Sequence, residues 1–327
     1  MSNKSSHRKF KIFTFNIFSM KIIITGGAGF VGKNLIRLML KNKFKPKDII
    51  VIDKDRNALN FIKKFGVNTV YADLSKRGKW ENSFKNVDII ISLAAQISSE
   101  NYIDFKKNNV DAIKNVVLAA KKYNVKKIIH FSSAAVLSVR MDPYAKTKKE
   151  GEKIIFNSQL TYSIIRPSVM YGPYDDKNIG WFINFARTIP IFPIPGNGKY
   201  PRQPVYVDDV CAIVIKMIRK MPKNKIYSIN GKEIVYFDKI VDTIYENLDK
   251  FRTKIYIPLP IFKFAVMMYK KIFPNFKFTS DQLDSLVSGD IFPDYPWWDE
   301  FKIKPTKFSD GVRNMFIAGV PKIKTIL

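Results

Sequence analysis

Three glycines and one aspartate carry the first chemical signal in this chain of 327 residues. Gly26, Gly29 and Gly32 lie in the run Thr25-Gly-Gly-Ala-Gly-Phe-Val-Gly32, after a short β-branched stretch and before a helical pattern. In that setting the first glycine permits a tight turn and the second lets the backbone approach a pyrophosphate. The third allows a helix to pack closely on a strand. The helix N-terminus, with Phe30 and Val31 in its first turn, then faces the anion. Asp53 ends the next apolar run, 21 residues after Gly32. A carboxylate there can accept hydrogen bonds from an adenosine ribose 2′-hydroxyl and repels a 2′-phosphate. The expected cofactor is NAD rather than NADP, a preference that Lys54 and Arg56 soften. Tyr144 and Lys148 are four residues apart and share one helical face. By itself such a pair is an ordinary surface pair.

These groups need strands and helices in alternation to hold them, and the chain supplies both. Strands are expected at residues 21–25, 49–53, 67–71, 87–93, 127–131 and 162–165, with helices at 30–41, 57–65, 110–123 and 144–157. The strands are nearly all apolar, which means a parallel sheet covered on both faces. The expected fold class is α/β, a Rossmann-like doubly wound parallel sheet with a smaller C-terminal α/β substrate lobe. After Pro167 prolines and glycines crowd residues 172–204. A helix at 210–219, a strand at 226–229 and a helix at 237–248 follow. The expected domains are residues 20–170, binding the dinucleotide, and 171–327, mainly substrate lobe with some segments returning to the first domain. Residues 1–19 are basic at Lys4, Arg8, Lys9 and Lys11 and lack the apolar stretch and cleavage site of a signal peptide. They are expected to be an extension outside the fold, which begins at Met20.

Composition narrows the partners. Hydrophobic residues make up 46% and charged residues 26%, a globular composition. One cysteine excludes an internal disulfide, and two histidines with that cysteine leave no zinc site, so no metal is expected. A reduced, cytoplasmic setting is the natural reading. The net charge is +28, mostly lysine spread along a chain rich in Asn, Ile and Phe, as an AT-rich genome would encode. With no helix-turn-helix, zinc-finger or RNA-recognition pattern, nucleic acid is not the expected partner. No apolar run reaches the roughly 20 residues of a membrane span.

Several further motifs stand in order. They are Ala72-Asp73-Leu74, Leu93-Ala94-Ala95, Asn109-Val110, Phe131-Ser-Ser-Ala-Ala-Val136, Tyr144-Ala-Lys-Thr-Lys148, Arg166-Pro-Ser-Val-Met-Tyr-Gly-Pro173, Arg202-Gln-Pro-Val-Tyr-Val-Asp-Asp209 and Asp310-Gly-Val. With the glycine turn they make the chain resemble an extended short-chain dehydrogenase/reductase of the NAD-dependent nucleotide-sugar epimerase/dehydratase family. The resemblance covers residues 20–312. It implies that Asp73 and Leu74 hold the adenine, and that Leu93, Ala94 and Ala95 lie near the nicotinamide ribose. Asn109, Ser132 and Pro167 would complete the cofactor pocket. A homodimer built on the Tyr144 helix and its neighbour is also implied.

In the light of that resemblance Tyr144 becomes the acid–base. The Lys148 ammonium and a positive nicotinamide ring both favour a phenolate and lower its pKa from about 10. Tyr144 would take a proton from a substrate hydroxyl while hydride passes to NAD, and Ser133 would hydrogen-bond the reacting oxygen. Dehydratases of this family carry an Asp-Glu pair directly after the catalytic Ser or Thr. Here those positions are Ala134 and Ala135, which move no proton. The expected function is a nucleotide-sugar epimerase of the UDP-glucose 4-epimerase kind, with a keto-sugar reductase as the alternative. A non-catalytic dinucleotide-binding assembly protein and a sterol or lipid alcohol dehydrogenase are further readings. Arg202 matches the family arginine that contacts the substrate diphosphate. A second such arginine is replaced by Ser288, ahead of Gly289-Asp290. The loop between Ser133 and Tyr144 is ten residues, shorter than is typical of the family, and position 137 is Leu where tyrosine is common.

Residues 251–280 hold six Lys/Arg, no Asp or Glu, and eight aromatic residues. The expectation is a lobe helix packed over the cleft. The alternative is a basic amphipathic helix giving peripheral contact with an anionic membrane. Trp297 and Trp298 are expected in the lobe core or an oligomer contact rather than as a stacking platform. His130 reads as a satisfied core histidine, and Cys211 as a small hydrophobe.

Overall fold

Seven parallel strands build the main sheet of this computed structural model, which describes residues 20–139, 141–220, 224–248, 253–272, 280–293 and 295–319. The expected extension at residues 1–19 lies outside the described residues. The strands are β1 (Ile22–Thr25), β2 (Ile49–Asp53), β3 (Asn68–Tyr71), β4 (Ile89–Ser92), β5 (Lys127–Phe131), β6 (Thr161–Pro167) and β7 (Lys225–Ile229). Their order is β7-β6-β5-β4-β1-β2-β3. The winding reverses between β1 and β4, where Thr25 pairs with Ser92. A crevice for a ligand opens beyond the carboxyl ends of strands at such a reversal. The glycine turn leaves β1 and residues 93–95 leave β4 at that point.

The apolar runs do not alternate because both sheet faces are covered. Ile22 and Ile24 pack with Leu35, Ile36 and Val210 on one side, and Ile23 packs with Ile113, Val116 and Ile128 on the other. The helix Val207–Arg219 and strand β7 come from the C-terminal half of the chain but complete this sheet unit. Arg37 on the helix Phe30–Lys41 holds Asp208 through both carboxylate oxygens, at 2.5 and 2.6 Å. The lobe has its own core, including Tyr171, Ile183, Phe192, Phe237 and Val312. Short strand pairs frame it: Met170–Tyr171 with Val205–Tyr206, Pro201–Arg202 with Val235–Tyr236, and Ile191–Pro195 with Thr253–Ile257.

One local feature departs from the sequence reading. The expected helix at 110–123 starts earlier, as a turn at Tyr102–Phe105 and a π-helical segment at Lys106–Asp111, before the regular helix Ala112–Lys122. The π segment buries Asn109, and such segments often sit at functional sites. The helix Leu259–Ile272 has no fully buried residue: Phe262, Val266 and Tyr269 are half-buried, while Ile261, Phe264 and Ile272 are exposed. Trp297 is fully buried in the core, and its indole donates to the Asn230 carbonyl at 2.8 Å. Among the described residues no helix is long and apolar enough to cross a membrane.

Candidate active site

The glycine turn is built so that side chains are excluded where the chain folds back on itself. Gly26 has φ +68°, and a Cβ there would stand 2.5 Å from the Ala94 backbone. A Cβ on Gly32 would stand 2.2 Å from the Gly27 carbonyl oxygen. On Gly29 it would meet only the Gly26 carbonyl oxygen, at 3.3 Å, so the outer side of the turn is accessible. Gly29 caps the helix Phe30–Lys41 without a side-chain hydrogen bond, and no acidic residue occupies the first turn. The first-turn amides, those of Phe30 and Val31 among them, have no intrahelical acceptors and suit an anion.

Asp53 closes the cradle from β2. Its carboxylate accepts from the Ala28 amide and the Asp55 amide, each at 3.1 Å. The two cations expected to soften the preference for NAD are turned to other partners. Lys54 donates to Asn108 at 2.7 Å, and Arg56 stacks over the Tyr71 ring at 3.8 Å. Asp73 accepts from the Ser75 amide at 3.0 Å. Partial burial opposes ionisation of Asp73, but Ser75, Lys54 and Lys76 together hold its carboxyl below the ordinary value. Leu74 is buried, Leu93 and Ala94 are half-buried, and Ala95 is exposed at the crevice.

The Tyr144 helix runs over Pro143–Phe156. Asp142 caps it by accepting from the Ala145 amide at 2.7 Å, and Pro143 pre-sets its first turn. This cap places Tyr144 one residue inside the helix, facing the segment that follows β5. There the Ser133 hydroxyl lies near enough to the phenol to favour its ionised form. Ser133 is itself oriented by accepting from the Ala135 amide at 3.2 Å. The trio expected from the sequence therefore meets in part. Lys148 is buried one turn along, but its ammonium donates to the Phe131 carbonyl at 2.5 Å. The expected pull of Lys148 on the tyrosine is not seen. Burial pushes Tyr144 up to about 12, with Ser133 opposing and Asp142 reinforcing. Burial likewise brings Lys148 down to about 8, against the attraction of Glu152.

Sequence reasoning missed the support beneath this trio. Glu152 is buried and grips Arg166 of β6 through two hydrogen bonds, at 2.8 and 2.6 Å. Its spacing of four residues from Lys148 was the available signal. Asn109, expected at the cofactor, also braces the site. It accepts from the Gln96 amide at 2.7 Å and donates to the Gln96 carbonyl and to Thr147, each at 3.0 Å. His130 corrects another expectation. Its Nδ1 lies 3.3 Å from the Ser92 hydroxyl, but its buried Nε2 has no partner. Burial first, and Lys148 second, keep it neutral.

The hydroxyls of Thr25 and Ser132 are buried without partners at the carboxyl ends of β1 and β5. With the accessible turn at Gly29, these orphaned groups fit a polar ligand in the crevice. Pro167 is buried at the end of β6. Arg202 does not present a free clamp. Its guanidinium donates to the carbonyls of Ser285 and Leu286, near the C-terminus of the helix Ser280–Ser288. Helix C-termini attract cations, which accounts for the capture. Burial lowers Arg202 to about 10, with Asp290 opposing. Asp290 also accepts from Ser138 at 2.7 Å, so the lobe closes onto the segment that carries Ser133.

Comparison with known proteins matches the model of the NAD dependent epimerase/dehydratase family to residues 22–230. A dTDP-D-glucose 4,6-dehydratase of Dictyostelium discoideum is 28% identical over 256 residues, covering 65% of this chain and 59% of that protein. A ceramide reductase of Caulobacter vibrioides is 25% identical over 198 residues, 61% of each chain. The chain thus spans about three fifths of these two relatives. A point mutant of UDP-glucuronic acid 4-epimerase from Bacillus cereus, solved with a UDP-fluoro sugar and NAD, superposes with a TM-score of 0.73 at 19% identity. The alignment covers 91% of this chain and 98% of that one, and shows a common fold. The family match takes in all seven strands of the main sheet and the Tyr144 helix, and the chain belongs to the NAD dependent epimerase/dehydratase family, of the extended short-chain dehydrogenase/reductase type.

Proposed function

We propose that the protein is an NAD-dependent nucleotide-sugar epimerase that works at a sugar hydroxyl through Tyr144. The observation that carries this reading is the helix Pro143–Phe156, which brings the Tyr144 phenol toward Ser133 with Lys148 buried one turn along. Bound NAD would supply the acceptor and then the donor of hydride. The first-turn amides after Gly29 would hold its pyrophosphate, and Asp53 its adenosine ribose. The Tyr144 oxygen would take the proton of the sugar hydroxyl as that carbon is oxidised, and return it as the carbon is reduced. Ser133 would hold the same oxygen throughout. Ala134 and Ala135 offer no second acid or base for eliminating water, which favours epimerase over dehydratase.

Incubation with a panel of UDP- and dTDP-sugars, read by proton NMR, tests the reading. Interconversion of two epimers without added NADH, with NAD co-purifying, is the expected result. Conversion that consumes added NADH stoichiometrically would replace it with a keto-sugar reductase. No conversion and no dinucleotide binding would favour an assembly protein.

The cofactor preference has its own test. Asp53→Asn keeps an acceptor for the Ala28 amide but removes the charge that repels a 2′-phosphate. The preference for NAD over NADP is expected to fall about tenfold or more, which is ~1.4 kcal/mol. Fluorescence titration with both dinucleotides measures it, and an unchanged ratio would remove Asp53 from this role.

A further inference from the structure

The helix Leu259–Ile272 is apolar on two faces: Leu259, Phe262, Val266 and Tyr269 are half-buried on one, and a second face is open. A surface helix buries its apolar stripe and shows its charges to water. Here Ile261, Phe264, Met268 and Ile272, spaced at three and four residues, form one stripe, and all are exposed. Ile261 and Phe264 are each 59% exposed and Ile272 is 66% exposed. Two charges on the opposite side of the helix tie it to the protein. Lys263 pairs with Asp284 at 2.6 Å, and Lys270 pairs with Glu100 at 2.5 Å. The second ion pair sets the end of the helix beside the segment after β4, in which Ile97, and Tyr102 and Ile103 of the following helical turn, are exposed. An exposed apolar stripe of this kind marks an interaction site.

We infer that this stripe is a docking surface for an anionic lipid bilayer. Charge complementarity selects the occupant. Lys254, Lys263 and Lys270 are taken up by Asp242, Asp284 and Glu100, and the whole chain carries +28. Lys271 flanks the stripe and is exposed. A second copy of the chain carries the same net charge of +28, which opposes self-association, whereas anionic headgroups attract the chain. The geometry also suits a bilayer. The helix lies on the protein held by side-chain ion pairs, with Phe264 and Met268 free to enter the acyl boundary and lysine beside them for the headgroups. Docking there would hold the loop after β4, and so one edge of the crevice, close to the membrane.

Co-sedimentation of the full chain with vesicles tests this directly. Phosphatidylcholine vesicles are compared with vesicles that also contain phosphatidylglycerol, for the native chain and for Phe264→Glu/Met268→Glu. Both positions are exposed, and circular dichroism with dinucleotide titration checks that the variant is folded. The expected result is binding to the anionic vesicles that weakens with salt and falls at least tenfold in the variant. Phe264→Trp gives a second reading, in which indole emission shifts to the blue with anionic vesicles. Absence of vesicle binding by the native chain would overturn the inference. So would equal binding by native chain and variant, which would assign it to diffuse charge. Light scattering that shows a native dimer made monomeric by the variant would assign the stripe to a second copy instead.

Discussion

Tyr144→Phe is expected to abolish turnover while leaving the fold and dinucleotide binding unchanged. The substitution keeps the aromatic ring and removes only the phenol oxygen near Ser133. Positioned proton transfer contributes about 10²–10⁴ in rate, so a loss of that size is expected. The groups that fit the dinucleotide lie elsewhere, in the turn at Gly26–Gly32 and at Asp53 on β2. Ser133 keeps its own anchor at the Ala135 amide, so the segment after β5 does not depend on the phenol. Parallel measurements of sugar conversion and of NAD affinity separate the outcomes. Retained turnover would place the acid–base at another residue. Loss of NAD affinity together with turnover would make Tyr144 a cofactor contact rather than a proton carrier.

The elements that position Tyr144 were legible because each rests on a local rule. The helix Phe30–Lys41 and the strand β5 have the ends that apolar patterning and the glycine turn assign. The sheet reads as parallel because β1 and β4 are buried along their whole length, which leaves no polar positions to alternate. Illegible were the contacts made over long separations. Arg202 lies 83 residues before Ser285, and nothing near either in sequence announces that one captures the other. The same holds for Asn109 and Thr147, or for Ser138 and Asp290. Charge-pair reasoning went astray at Lys148 for a related reason. Spacing put it near Tyr144, but the Phe131 carbonyl competes for the ammonium, and only the paired strands show that carbonyl to be in reach. The outward face of Leu259–Ile272 was hidden too. Periodicity finds an apolar stripe without saying whether protein, lipid or water meets it.

Lys148 carries the second large expectation, that its removal stabilises the fold. Burial brings its pKa from the ordinary 10.5 to about 8, so the folded chain disfavours the ammonium. At about 1.4 kcal/mol per unit, holding that charge at pH 7 costs the native state roughly 3 kcal/mol. Lys148→Met fills a similar volume without the charge and gives up the hydrogen bond to Phe131, worth about 1 kcal/mol. A net gain of about 1–3 kcal/mol at pH 7 is expected. The sign with pH follows from which state binds the proton. Below pH 8 the lysine is charged in both states and the burden on the native state is complete. Between about 8 and 10.5 the native state has lost the proton and the unfolded chain has kept it, so native stability rises with pH. The advantage of Lys148→Met should therefore shrink across that window and vanish above it. Thermal melts of both proteins at pH 7 and near pH 10 would read it. A variant less stable than the native chain at pH 7 would mean that Glu152 and Phe131 more than offset the burial of the ammonium. The converse result would identify a strained group kept for its chemistry, since sites that hold a charge ready for substrate commonly do so against stability.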